Sequence, residues 1–154
     1  MGDKQAMIAS AGAKLALLEI SYQLLTGEPL AAGGDLWNAP NAVVAHGTQD
    51  PPLFFYGNAI ALELFGMDAA AFIGLPSYKS AEAGGEREER ARMFTRLEAD
   101  NIVHGYKGIR IAADGTRFRI DNAVIWNVFD QSGNRQGQAA TFAEWELLAE
   151  QVGS

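Results

Sequence analysis

The chain contains no cysteine. That absence removes disulfides, thiolate nucleophiles, cysteine-ligated zinc and iron–sulfur clusters at once. Histidine is nearly absent too. His46 and His104 fall at a strand end and just before a strand, neither on a helix with a second ligand one turn away, so no metal centre is expected. Lys and Arg are outnumbered by Asp and Glu, 12 to 19, and the net charge is −7. Such a surface lacks the cationic face that nucleic acid or an anionic membrane would need. No apolar run reaches the ~18 residues of a membrane span. The apolar stretch near the start is interrupted by Lys14 and has helical amphipathicity, unlike a signal peptide. A cytoplasmic location is the resulting expectation. Catalytic signatures are missing as well: there is no P-loop, no G-x-G-x-x-G opening a helix, no H-E-x-x-H and no G-x-S-x-G, and Ser77-Tyr78-Lys79 lacks the S-x-x-K spacing.

What is present is an ordinary globular composition, 48% hydrophobic and 20% charged over 154 residues. This is enough for one domain that buries roughly 70% of its unfolded surface. Residues 6–25 space Ile8, Ala11, Leu15, Leu18, Tyr22 and Leu25 at three- and four-residue steps, the seam of an amphipathic helix. That helix packs on its own domain or pairs with a second copy through Ile8, Leu15, Leu18, Tyr22 and Leu25. Thr26-Gly27-Glu28-Pro29 stops it, so residues 1–27 form an N-terminal unit. A Gly-, Pro- and Asn-rich connection over 28–41 leads to short strands at Ala42–Ala45 and Leu53–Tyr56.

Gly57-Asn58 then separates an aromatic run from an amphipathic one, and Asn58 is a natural N-cap for the helix that follows. Gly66 is its C-cap, a short helix runs from Asp68 to Phe72, and 86–99 forms a charged helix with Glu86–Arg90 and Glu88–Arg92 at supportive spacing. The last third changes period. Strands at Gly108–Ala112 and Thr116–Phe129 flank the hairpin signal Asp114-Gly115, and a third runs from Gln136 to Phe142. The fold class is α+β.

Alternation along the long strand puts Phe118, Ile120, Asn122, Val124, Trp126 and Val128 on one face. Its other face turns apolar at Ala123, Ile125 and Phe129, so that end needs cover on both sides, from the N-terminal helix or a partner subunit. Tyr106, Phe118, Trp126 and Trp145 are candidate pocket aromatics, with Asn122 a buried amide in need of a partner. Core packing is the competing reading. His46 stands four residues before Asp50 in "HGTQD", either a proton-transfer pair or a local turn contact. His104 reads as a surface residue. Glu82, with Arg87 or Arg90, is a candidate ion pair closing the helices over the sheet, or a ligand contact. Arg110 and Arg117 flank the hairpin as sheet-surface charges or anion ligands.

Two short strands, an Asn-capped helix, short helices and a three-strand meander resemble a PAS domain. The stretches "VVAHGTQDPPLFFYGNAIALELF", "SAEAGGEREERARM", "YKGIRIAADGTRFRIDNAVIWNVFD" and "GQAATFAEW" are more closely similar to the PAS-related MEKHLA family, over about Leu15 to Leu148. With no homeodomain and no basic region, the chain resembles the stand-alone bacterial kind rather than the module of plant homeodomain leucine-zipper proteins. The resemblance implies a five-stranded antiparallel sheet with helices over one face, over residues 28–148, with 149–154 as a tail. It also implies a sensory or regulatory role.

A cysteinyl or thioester-linked chromophore is excluded by composition, and haem is not expected because the long helix carries no histidine. A non-covalent flavin or another small molecule remains. The expected function is therefore a sensor that binds a small molecule between sheet and helices, at His46, Asn58, Glu82, Tyr106, Phe118, Asn122, Trp126 and Trp145. It would signal through protein contact, as a homodimer or with a partner protein. The alternatives are a ligand-free interaction module with a solid core and, more remotely, a small enzyme using His46 and Asp50.

Overall fold

The computed structural model describes residues 2–80 and 87–148, apart from the side chains of 87–91. Two helices come first, α1 (Asp3–Ala11) and α2 (Lys14–Thr26), where the sequence predicts one. The break is at Gly12, whose φ of 55° and ψ of −131° no helix accommodates. Then follow β1 (Ala42–His46), β2 (Phe54–Gly57), α3 (Ala59–Phe65), α4 (Ala69–Phe72), α5 (Arg87–Asp100), β3 (Ile102–Ile111), β4 (Arg117–Phe129), β5 (Arg135–Phe142) and β6 (Glu144–Leu147). The strands form one antiparallel sheet in the order β2-β1-β5-β4-β3. The expected five strands become six because the last one bends at Ala143. β5 pairs with the second half of β4, and β6 continues along the first half.

Asn58 is the hub of the β2–α3 junction. Its fully buried amide accepts from the N–H groups of Val43 (3.0 Å) and Ala61 (3.3 Å) and donates to the carbonyls of Leu36 (3.1 Å) and Asn41 (2.9 Å). One side chain thus caps α3 and ties it to β1 and to the loop before it. Gly57 is needed beside it because an added Cβ would lie 2.8 Å from the ring of Phe72, which is fully buried. Gly66, with φ of 67°, ends α3 as the sequence predicts.

The long strand departs from simple alternation. Asn122 takes φ of 53°, and between the pairs Tyr106–Ala123 and Gly108–Ile120 β4 carries one residue more than β3. This β-bulge reverses which side chains face which side. Before it, Phe118 and Ile120 face the α3–α5 side. After it, Ile125 does so, while Val124, Trp126 and Val128 face the opposite side. Phe118 and Trp126 therefore lie on opposite faces, correcting the expectation that they share one. Asn122 itself is exposed at the bulge, not a buried amide.

The outer face is covered from within the chain. α2 lies on β4: the rings of Tyr22 and Trp126 meet edge to face at 4.9 Å, and the backbone N–H of Phe129 donates to Ser21 Oγ at 2.9 Å. α1 lies along β2, where Ser10 Oγ donates to the Phe55 carbonyl (2.8 Å), and Asp3 accepts from the Ala69 N–H at the start of α4 (3.1 Å). The seam read as a candidate dimer contact is spent here. Leu18 is fully buried, Leu15, Tyr22 and Leu25 pack against the core, and only Ile8 is open, at 43% exposure. Helices thus cover both faces, not one.

Candidate functional site

Among the described residues the inner face is not filled. A cavity of about 280 Å³ lies between the sheet and α3–α5, bounded by Phe54 on β2, Phe65 on α3, Met93 and Phe94 on α5, and Ile120, Ile125 and Phe142 on the sheet. It exists because the inward side chains of β5 on this part of the sheet are small or polar: Ala140 opposes Ile125, and Gln138 opposes Asn127. The turn after α4 adds Ser77, Tyr78 and Ser80. Tyr78 (53%) and Phe94 (45%) are exposed aromatics at its border.

Its polar focus is a pair of side chains from adjacent strands. His46 and Gln138 are directly opposed in the β1–β5 ladder, and His46 Nε2 lies 3.0 Å from the Gln138 amide end. His46 Nδ1 lies 3.1 Å from the Gly47 carbonyl, which can only accept, so Nδ1 carries the proton. Burial holds the imidazole below its ordinary pKa, opposed by the bonds to Gly47 and Gln138 and reinforced by the nearby charge of Arg135. A neutral ring with its proton on Nδ1 presents a lone pair at Nε2. Gln138 must then donate one N–H there, an amide orientation equivalent by a flip in position, and its second N–H and its oxygen are left for the cavity. Asp50 is exposed and takes no part, so the His46–Asp50 proton-transfer pair is not formed.

Two arginines also border the cavity, Arg110 and Arg135. Arg110 donates to the Ile109 carbonyl (3.1 Å) and lies 5.7 Å over the Tyr106 ring. Gly108 leaves room for both, since a Cβ there would stand 2.8 Å from the Tyr106 hydroxyl and 2.9 Å from the guanidinium.

Of the residues singled out from the sequence, His46 and Tyr106 border the cavity. Phe118 packs behind it, 5.2 Å from Phe65. Trp145 sits opposite Ile120 and edge-on to Phe142 at 6.0 Å, outside the lining. Asn58 spends its amide on backbone, Asn122 is on the surface and Trp126 faces α2. His104 is exposed on β3 as expected, and Glu82 with its Arg87 and Arg90 partners lies outside the described residues and side chains. The sequence reading missed Gln138. The available signal was a polar side chain inside an otherwise small and apolar strand, "GQAATF". Among the described residues no cluster of His, Asp and Glu could hold a metal, and no helix is long and apolar enough to cross a membrane.

The strand order and helical cover can now be set beside known proteins. The family model described as the MEKHLA domain matches residues 13–147. The chain belongs to the MEKHLA domain family. No curated protein matches it. Among solved structures, this MEKHLA chain is similar to the PAS domain of a protein from Colwellia psychrerythraea, with 14% identity and a TM-score of 0.60 over 73% of this chain and 90% of that one. It is also similar to the light-state dimer of the fungal blue-light photoreceptor Vivid, with 14% identity and a TM-score of 0.61 over 86% and 94% of the two chains. The Rhodobacter sphaeroides LOV protein gives a TM-score of 0.62 at 9% identity, over 93% of this chain and 71% of that one. At such identities these likenesses establish a PAS-like fold. The PAS-related assignment from the sequence motifs holds.

Proposed function

We propose that this MEKHLA domain is a sensory or regulatory module that binds a small molecule between sheet and helices and passes occupancy to a partner protein, in the cytoplasm. The observation that carries the reading is the cavity: an apolar, aromatic-walled space with a few convergent polar groups is the usual make-up of a ligand site. Its volume of about 280 Å³ lies just under the ~300–1,000 Å³ typical of such sites and suits a compact ligand. A flavin held without a covalent bond would find a partner for its heteroaromatic edge in Gln138. No thiol is available to form an adduct with it.

The route to a partner runs through β4. Ile125 borders the cavity and the next residue, Trp126, packs on Tyr22 of α2. A ligand that favours one packing of Ile125 thereby biases α2 on the other face. The outward side of α2 exposes Ile20 (49%) and Leu24 (82%), an apolar strip at helical spacing. That strip favours contact with a second copy or another protein, and it also supports the alternative of a pure interaction module.

Native mass spectrometry with an absorption spectrum of the freshly purified chain separates the two. A bound species of a few hundred daltons, lost in Ala140→Leu, is the expected result. A bare mass in both proteins, together with a dimer abolished by Leu24→Glu, would instead assign the domain to interaction alone.

A further inference from the structure

We infer that the ligand of this cavity is a small organic carboxylate with an aromatic or branched apolar body, its carboxylate held at the Arg135–Gln138–His46 end. The inference rests on the ligand-binding reading above and adds the chemical class. The charge of the wall carries it. The chain has 19 acidic and 12 basic residues, yet the described residues lining the cavity include two arginines and no carboxylate. A wall drawn at random from this composition would carry the opposite sign. Against these described residues a cationic ligand would meet repulsion and an anionic one attraction.

The two arginines are not equivalent. Arg110 pairs with Phe118 near the start of β4, whereas Arg135 pairs with Phe129 at its end, so one small anion cannot engage both. The Arg110 guanidinium is already engaged by the Ile109 carbonyl and the Tyr106 ring. Arg135 makes no ion pair with any described carboxylate; the described ion pairs lie elsewhere, among Lys107, Arg119, Asp121 and Glu146. Its charge is felt at His46, and Gln138 is three residues along the same strand. A carboxylate there takes the planar fork of Arg135 and the second N–H of Gln138, while the body fills the space between Phe54, Ile125 and Phe142. One unspent guanidinium balances one negative charge. A phosphate dianion would bring a second charge with nothing to pair it, which a partly buried site penalises.

The test is isothermal titration of the full chain with four probes sharing one body: phenylbutyrate, phenylbutanol, phenylbutylamine and phenylbutyl phosphate. The acid should bind at least tenfold more tightly than the alcohol, with the phosphate between them and the amine weakest. Arg135→Gln lies on an exposed strand end and should bring the acid to the level of the alcohol without changing the alcohol. Arg119→Gln, a surface cation away from the cavity, should leave the ratio intact. Equal binding of acid and alcohol, or an acid preference surviving Arg135→Gln, overturns the anion assignment alone. A phosphate tighter than the acid overturns the carboxylate. Failure of all four probes, with no copurifying ligand, overturns the cavity-ligand reading itself.

Discussion

The two faces of the sheet are packed by different rules. On the outer face the chain supplies its own filling: Trp126 is fully buried against Tyr22, and Ser21 completes the backbone hydrogen bonding at Phe129. On the inner face β5 offers Ala140 and Gln138, α5 offers Met93, and a cavity remains. Close packing is the ordinary state of a protein interior, and a void forfeits dispersion contacts on its walls. A sheet that fills one face and leaves the other open gives up stability on the open side, which is where uptake of a ligand would return it.

The sharpest way to break this contrast is to open the filled face. Trp126→Ala should cost about 3–5 kcal/mol in urea denaturation, the range for deleting a buried aromatic. Trp126→Phe should cost far less, because the indole Nε1 is buried with no hydrogen-bond partner and its loss removes an unmet donor. If Trp126→Ala were nearly silent, α2 would not be packed on β4 in solution.

Filling the open face should have the reverse signature. Ala140→Leu adds volume to existing space, so stability should change by less than about 1.5 kcal/mol, the tolerance of cores to fitted apolar changes. Phenylbutyrate binding should be lost in the same protein. A large loss of stability would mean that the inner face is as tightly packed as the outer.

The smallest effect expected is a pH dependence from His46. Its folded pKa lies below that of the unfolded chain, chiefly through burial. Above the unfolded value of ~6.5 both states are neutral and stability is full. As pH falls below it the unfolded chain takes up the proton first, so stability declines until the folded pKa is passed. His46→Gln should flatten that decline between about pH 6.5 and 5, a window above the carboxylate range and so free of Asp35, Asp114 and Asp130, whose folded values are lowered. An unchanged slope would place the imidazole in solvent.

Local structure was largely legible beforehand. The Asn58 cap, the Gly66 stop and the Asp114-Gly115 hairpin each depend on a few consecutive residues, and they appear where the sequence puts them, whereas β3 begins at Ile102, six residues before the strand expected from Gly108. The misses share a cause. Gly12 was read through as part of one helix because the apolar spacing continues across it. Asn122 was read as an inward amide because strict alternation was assumed. An Asp-Asn pair inside a strand was the available warning, since asparagine tolerates positive φ.

For the site, His46 was singled out as an imidazole at a strand end and Tyr106 as an aromatic ahead of an expected strand, and both border the cavity. Gln138 was not, because only pairing between β1 and β5, 92 positions apart in the chain, brings it to the imidazole. The sequence by itself determined the α+β class, the acidic character, the exclusion of thiol chemistry and the family. The first three depend on composition and on hydrogen bonds between near neighbours, and the family on the resemblance of several motifs in the same order. The tertiary structure alone decided which face each half of β4 presents, that α2 closes the outer side, and that the space opposite it is bordered by cations. Each of these turns on register between distant strands, where a single extra residue at a bulge reverses every side chain beyond it.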